Sequence, residues 1–232
     1  MPSILITGSN RGMGLEWARQ YADLGWRVYA TCRFPEQAED LKQASQQHSN
    51  LSIHQLDITK PDHVQRIAQD LADSKLDILV NNAGVYYERW GQDKLGTIDY
   101  RAWQETLNVN TLGAVRVTEA LRENLAQGEK RLVVAISSHM GSIEDTKEPN
   151  DYAYRSSKAA LNVVMKGLVY ELSDYGIGII LFHPGWVRTR MGGSEAPLLP
   201  KESVSNMRAL VDKFQQKDSG RFYRYDGVII PW

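Results

Sequence analysis

The chain is poor in the residues that would tie it to a disulfide scaffold, a nucleic acid, a metal or a membrane. A single cysteine, Cys32, stands among 232 residues. No internal disulfide can form, and a reducing, cytoplasmic setting is expected. Lys and Arg number 27 against 28 Asp and Glu, a net charge of −1. Without a basic excess, neither nucleic acid nor an anionic membrane is expected as a partner. Apolar runs such as Ile177 to Phe182 fall far short of the roughly 20 residues that a spanning helix needs. The five histidines are not closely paired, and no metal site is expected. No internal repeat or low-complexity linker divides the chain. Apolar residues begin at Ser3-Ile-Leu-Ile-Thr7, and no secretory leader is expected. What remains is an ordinary globular composition, 42% hydrophobic and 24% charged, suited to one domain over residues 1–232.

The stretch with most chemistry is Tyr152-Ala-Tyr-Arg-Ser-Ser-Lys158, followed by Ala159, Ala160 and Leu161. These residues favour helix. Positions four apart share a helix face, so the Tyr154 hydroxyl is expected beside the Lys158 ammonium. A free phenol titrates near ~10, and a fixed cation should lower that value. Such a pair could give a proton to a carbonyl or take one from an alcohol. A tyrosine four residues before a lysine is common on solvated helices. Of eleven tyrosines, however, only Tyr154 has one. Its setting adds weight: Val133-Val-Ala-Ile-Ser-Ser138 reads as a buried strand with a hydroxyl tip, sixteen residues earlier.

Strands and helices alternate along the whole chain. The pattern predicts strands at 3–7, 27–31, 51–56, 76–80, 131–138 and 176–182, and a last strand region near 221–230. Helices are expected at 15–24, 35–48, 61–74, 100–126 and 201–216, the fourth interrupted at Asn108-Val-Asn110. Residues 190–205, rich in Gly, Pro and Ser, are expected to be mobile. The fold class is therefore α/β, a doubly wound parallel sheet with helices on both faces. After the first strand, Gly8-Ser-Asn-Arg-Gly12-Met-Gly14 could aim backbone N–H groups and a helix dipole at a phosphate. The second strand ends Thr31-Cys32-Arg33. It lacks the acid that would hold an NAD ribose. Arg33, with Arg11 in the glycine turn, suits a 2′-phosphate, so NADP is the expected cofactor. Asp57 at the third strand's tip could meet an adenine amine. Asn81-Asn-Ala-Gly84 allows close approach to a flat cofactor, or its asparagines simply satisfy the backbone. Tyr86, Tyr87, Trp90, Trp186 and Met191 could line an apolar pocket.

These motifs, in this order, resemble the short-chain dehydrogenase/reductase family over essentially the whole chain. Thr7 to Gly14 looks like its cofactor motif and Asn81 to Gly84 like its sheet-stabilising motif. Asn110, Ser138, Tyr154 and Lys158 fall where its catalytic tetrad falls. Pro184, Gly185 and Thr189 resemble its nicotinamide segment. A narrower likeness, through His183 to Gly193 and Tyr225 to Trp232, is to a branch of C-factor-like proteins and small carbonyl reductases. The resemblance implies a Rossmann fold that binds NADP through Gly8, Asn10, Arg11, Gly12, Met13, Gly14, Arg33, Asp57, Ile58, Asn82, Ala83, Gly84, Pro184, Gly185, Val187 and Thr189, together with Tyr154 and Lys158. It implies Tyr154 as acid or base, Ser138 on the substrate oxygen, Lys158 lowering the tyrosine pKa, and Asn110 supporting a water relay. The gap from Ser138 to Tyr154 is longer than the family's usual one, with 144–151 as the inserted loop. That leaves Ser137 and Ser142 as alternatives, Ser138 being preferred because it ends the strand. Relatives pair as homodimers or homotetramers through helices corresponding to 100–126 and 153–175. Two functions follow: an NADP-dependent reductase of aldehydes or ketones, or a cofactor-loaded signalling scaffold with little turnover.

Overall fold

The computed structural model describes residues 1–88 and 94–232. Trp90, expected to line the pocket, lies outside the described residues. Seven strands pair in parallel: β1 (Ser3–Ile6), β2 (Arg27–Cys32), β3 (Leu51–Gln55), β4 (Ile78–Asn81), β5 (Leu132–Ile136), β6 (Gly178–His183) and β7 (Arg221–Arg224). Their order across the sheet is β3-β2-β1-β4-β5-β6-β7. That order reverses between β1 and β4. The loops leaving their carboxyl ends therefore diverge and open a crevice.

Successive side chains of a strand point to opposite faces. Ile4 and Ile6 of β1 accordingly pack into one core and Leu5 into the other. The first core lies under α1 (Gly12–Asp23), α2 (Glu39–Gln47) and α8 (Pro200–Asp212). The second lies under α3 (Pro61–Asp70), α5 (Ala114–Ala120), α6 (Arg122–Ala126) and α7 (Tyr152–Leu172). The strands carry apolar residues on both faces because both are covered. Phe182, fully buried in the first core, contributes on the order of 2–3 kcal/mol.

The departures from the sequence pattern have local causes. The expected helix at 35–48 is a 3₁₀ turn, Pro35–Gln37, then α2 from Glu39, because the intervening Ala38 has non-helical backbone (φ −97, ψ 63). The helix expected at 61–74 stops at Asp70. Between α4 (Tyr100–Leu107) and α5 the chain stays helical but widens to a π-helix, Asn108–Gly113. The interruption expected at Asn108 to Asn110 is this widening, of a kind that often marks functional sites. The segment from 190 to 205 is less loose than its composition suggests. Trp186 Nε1 donates to Gly192 O (2.7 Å), Arg188 N donates to Leu198 O (2.8 Å), and residues from Pro200 onward already belong to α8. At the chain end Trp232 stacks on Phe222 (centroids 5.7 Å apart), and its ring lies 5.9 Å from Lys166 Nζ.

Candidate active site

Four loops meet at the sheet's carboxyl edge: 7–14 after β1, 82–88 after β4, 137–142 after β5 and 184–192 after β6. Tyr154 and Lys158 stand one turn apart on α7, both buried. The Lys158 ammonium is 5.7 Å from the Tyr154 ring centroid and donates to Ile136 O at 2.8 Å. Ser138 stands close enough to the Tyr154 side chain to pull its pKa down, and its Oγ accepts from Met140 N at 3.2 Å. Its two rivals are engaged elsewhere: Ser137 donates to Asn162 Oδ1 at 2.6 Å, and Ser142 Oγ accepts from Asp145 N at 3.3 Å.

The electrostatics run against the expected lowering of the tyrosine. Burial pushes the Tyr154 phenol up to about 12, only partly opposed by Ser138. Burial also pulls the Lys158 ammonium down to about 8. Removing both groups from water disfavours the charged form of each, a phenolate in one case and an ammonium in the other. The spacing of four residues carried no information about that burial.

Asn110 sits in the π-helix and turns its amide to protein atoms. Its Oδ1 accepts from Val85 N (2.8 Å), and its Nδ2 donates to Val85 O (2.9 Å) and to Ser157 Oγ (3.0 Å). Gly84 passes between Asn110 and Lys158. A Cβ there would stand 3.2 Å from Asn110 Oδ1 and 3.7 Å from Lys158 Nζ.

The glycine turn has the form of a phosphate cradle. A Cβ on Gly14 would meet Gly8 O at 2.2 Å, so glycine is required for the turn to fold onto the helix. Asn82 Nδ2 donates to Thr7 O (2.9 Å) and Gly8 O (3.2 Å), which makes Asn82 a staple for the turn. Ala83 N donates to Thr7 Oγ1 at 3.0 Å. Asn10 and Met13 are half-buried in and just after the turn. Arg11 is the N-cap of α1, and its side chain does not cap it. Thr189 Cγ2 would lie 3.4 Å from a Cβ on Gly12, which brings the segment after β6 onto the turn. In that segment Pro184 O accepts from Ser203 Oγ (2.6 Å), Gly185 has φ 84, and Val187 is buried. Ile58 is also buried, packed where a side chain at Gly113 would be.

Three arginines converge here. The Arg11 guanidinium is held below its ordinary value, first by burial, then by Arg190 and Arg33. None of the three forms an ion pair with a carboxylate among the described residues. Asp57 lies close enough to feel Arg33. Its partial burial is outweighed by hydrogen bonds from Thr59, and with Arg33 and His63 nearby its carboxyl stays below the usual value. Thr59 Oγ1 donates to its Oδ1 at 2.7 Å. Three arginines with no direct ion pair, at the mouth of a glycine turn, fit the phosphates of a dinucleotide. Arg190 was not legible as part of this cluster; a second arginine in Arg188-Thr-Arg190 was its one signal.

Of the expected pocket aromatics, Tyr86 lies against the tyrosine, with ring centroids 4.5 Å apart. Tyr87, Trp186 and Met191 are largely exposed. Two histidines were also overlooked. His139 Nε2 pairs with Asp145 Oδ2 at 2.6 Å, and its ring lies 5.8 Å from that of His183. Burial first, then His139 and Arg224, push His183 down to about 4 despite Asp226, so it is neutral at pH 7.

A doubly wound sheet with a glycine turn after β1, and Ser138, Tyr154 and Lys158 across the crevice, has the architecture of a dehydrogenase. The chain belongs to the short-chain dehydrogenase family, whose pattern matches residues 2–197. It is 39% identical over 169 residues to the C-signal protein of Myxococcus xanthus, covering 73% of this chain and all of that one. The structure superposes on the carbonyl reductase Sniffer of D. melanogaster with TM-score 0.92, 33% identity and full coverage of both chains. On an NADPH-bound carbonyl reductase from chicken fatty liver it gives 0.91, with 30% identity over 100% of this chain and 99% of that one. It is thus an oxidoreductase of that family, with carbonyl reductases among its structural neighbours.

Proposed function

We propose that this protein interconverts an aldehyde or ketone and its alcohol, with NADP as cofactor and Tyr154 as the acid/base. The observation that carries this is the buried cluster of Ser138, Tyr154 and Lys158, with the Lys158 ammonium 5.7 Å from the Tyr154 ring and Ser138 close enough to shift the phenol. Bound NADPH would supply the hydride to the carbonyl carbon. Tyr154 gives its phenolic proton to the carbonyl oxygen, and Ser138 donates a hydrogen bond to the same oxygen. A phenol raised to about 12 is fully protonated at neutral pH, so the buried site stands loaded for reduction. Lys158 holds the nicotinamide ribose, and Asn110 fixes the loop beside it. Gly8 to Gly14 would hold the pyrophosphate, Pro184 to Thr189 would contact the nicotinamide, and Arg33 with Arg11 and Arg190 would receive the 2′-phosphate. The NADPH held by the chicken neighbour supports that choice.

We take residues 1–232 as one domain working in the cytoplasm, where Cys32, buried and unpaired, meets no oxidant. Among the described residues no helix is long and apolar enough to cross a membrane. Pairing of copies through α4 and α7 would cover Tyr100, Val163 and Tyr170, each more than 60% exposed.

The test is Tyr154→Phe, assayed by NADPH consumption over a panel of carbonyl compounds. Loss of a general acid should lower kcat about a hundredfold or more, with NADPH binding retained and Tyr152→Phe mild. A variant keeping about a tenth of the activity refutes the assignment. Wild type that binds NADPH tightly and turns over nothing would instead favour a scaffold, as its likeness to C-signal allows.

A further inference from the structure

Helix α7 starts without a cap of its own. Its N-cap residue, Asp151, lies in the left-handed region (φ 55, ψ 36), and its side chain does not bond the first-turn amides. That carboxylate accepts instead from the Tyr86 hydroxyl at 2.7 Å. First-turn amides need acceptors, and here Glu88 supplies them from another part of the chain. Glu88 Oε1 accepts from Ala153 N (2.6 Å), and Oε2 accepts from Tyr154 N (2.7 Å). The carboxylate is buried, a placement that the helix dipole favours, and its bonds are of the strong, charge-assisted kind.

The loop that carries Glu88 is also fixed at its other end. Asn110 takes both the N–H and the carbonyl of Val85. Asn110 further donates to Ser157 Oγ, which donates to Tyr154 O at 2.8 Å. The hydrogen bonds thus form a ring, from Asn110 through Val85 and Glu88 to the backbone of Tyr154, and back through Ser157. Inside the ring Tyr86 lays its own ring against that of Tyr154. Every link to Tyr154 in this ring reaches its backbone, and the helix then aims the phenol at Ser138.

We propose that Glu88 is a positioning residue of this active site, which holds the Tyr154 backbone in register with the Val85–Glu88 loop and with Asn110. The proposal rests on Tyr154 being the acid. Glu88 touches no reacting atom, so its effect must appear in the chemical step and not in cofactor affinity. A misplacement of about 1 Å at a reacting group can cost roughly a hundredfold in rate.

Glu88→Gln keeps the shape and one acceptor oxygen, and sets an NH₂ against the second amide. Glu88→Asp keeps the charge on a shorter stem. For both variants and wild type we would measure kcat and KM for a turned-over carbonyl at saturating NADPH, Kd for NADPH by its fluorescence, and hydrogen exchange of the α7 amides. In Glu88→Gln, kcat should fall roughly ten- to a hundredfold while the NADPH Kd holds within about twofold. The amides of Ala153 and Tyr154 should lose protection while those from Leu161 to Met165 keep it. Glu88→Asp should recover part of kcat. An unchanged kcat in Glu88→Gln overturns the proposal. So does a joint loss of kcat, NADPH affinity and protection along all of α7 in both variants, which would make Glu88 a general stabiliser of the fold. Wild type inactive on every carbonyl removes the acid assignment and this proposal with it; active wild type with an indifferent Glu88→Gln removes this proposal alone.

Discussion

Replacing Lys158 by methionine should produce a protein that is more stable at neutral pH and catalytically dead. Lys158 is 4% exposed, and among the described residues its ammonium donates to Ile136 O at 2.8 Å. Burial lowers its ammonium from 10.5 to about 8. At about 1.4 kcal/mol per pH unit, the buried cation costs the folded state about 3 kcal/mol. The cost is fully present below about pH 8, where both folded and unfolded chains carry the proton. Between about 8 and 10.5 the unfolded chain still binds a proton that the folded chain has released, so stability rises with pH. Above 10.5 both forms are neutral and the cost is gone. Methionine keeps much of the aliphatic stem and removes the charge. It also forfeits the bond to Ile136 O, worth about 1 kcal/mol. The variant should therefore exceed wild type by about 2 kcal/mol at pH 7, and the advantage should shrink from pH 8 and vanish before 10.5. Tyr154 acts oppositely and higher. Its raised value contributes stability that is present below pH 10 and is lost as pH rises toward 12. That loss is common to both proteins and cancels in the difference. Urea unfolding of both at several pH values between 7 and 10.5 measures it. A stability difference that stays flat across that range, or a variant weaker than wild type at pH 7, refutes the account of Lys158 as a costly buried cation.

Two further outcomes are expected. Cys32→Asp with Arg33→Ala should turn the preference from NADPH toward NADH, because an acid then faces the 2′-phosphate and a fork of donors is lost. A charge-assisted bond of about 1.5–3 kcal/mol corresponds to roughly ten- to a hundredfold, read as kcat/KM with each cofactor, and a wild type that prefers NADH refutes it. Deleting residues 230–232 removes the Trp232 stack on Phe222 and the buried Ile230, whose N–H donates to Phe222 O at 2.9 Å. Melting should drop by several degrees at about 2–4 °C per kcal/mol for a chain of this size, and an unchanged melting temperature would show the tail to be energetically idle.

The features legible in the sequence were those written within a few residues of each other. Alternating strands and helices, glycines at a strand-to-helix junction and a tyrosine one turn before a lysine are local patterns, and the fold and the place of the site follow from them. Element ends were less legible. The helix break at Ala38 has no glycine or proline at the break itself. Within the π-helix, Asn110 binds the backbone of Val85, a contact that no pattern within the helix records. The electrostatics of the tyrosine were misjudged for the same reason. Spacing placed a cation near the phenol, but the sign of the shift was decided by burial, and burial is set by the loops after β4 and β5 and by the whole second core. Glu88 is the sharpest instance. In the sequence it is one acid in a polar loop; in the fold it stands at the start of a helix 65 residues away and accepts the amide of Tyr154. At neutral pH Tyr154 is uncharged, while Lys158 still carries its proton. With the phenol neutral, no ion pair between the two fixes its hydroxyl in place. That task falls to backbone contacts from distant segments, which is why the Val85–Glu88 loop, and not the spacing on α7, sets the geometry on which turnover depends.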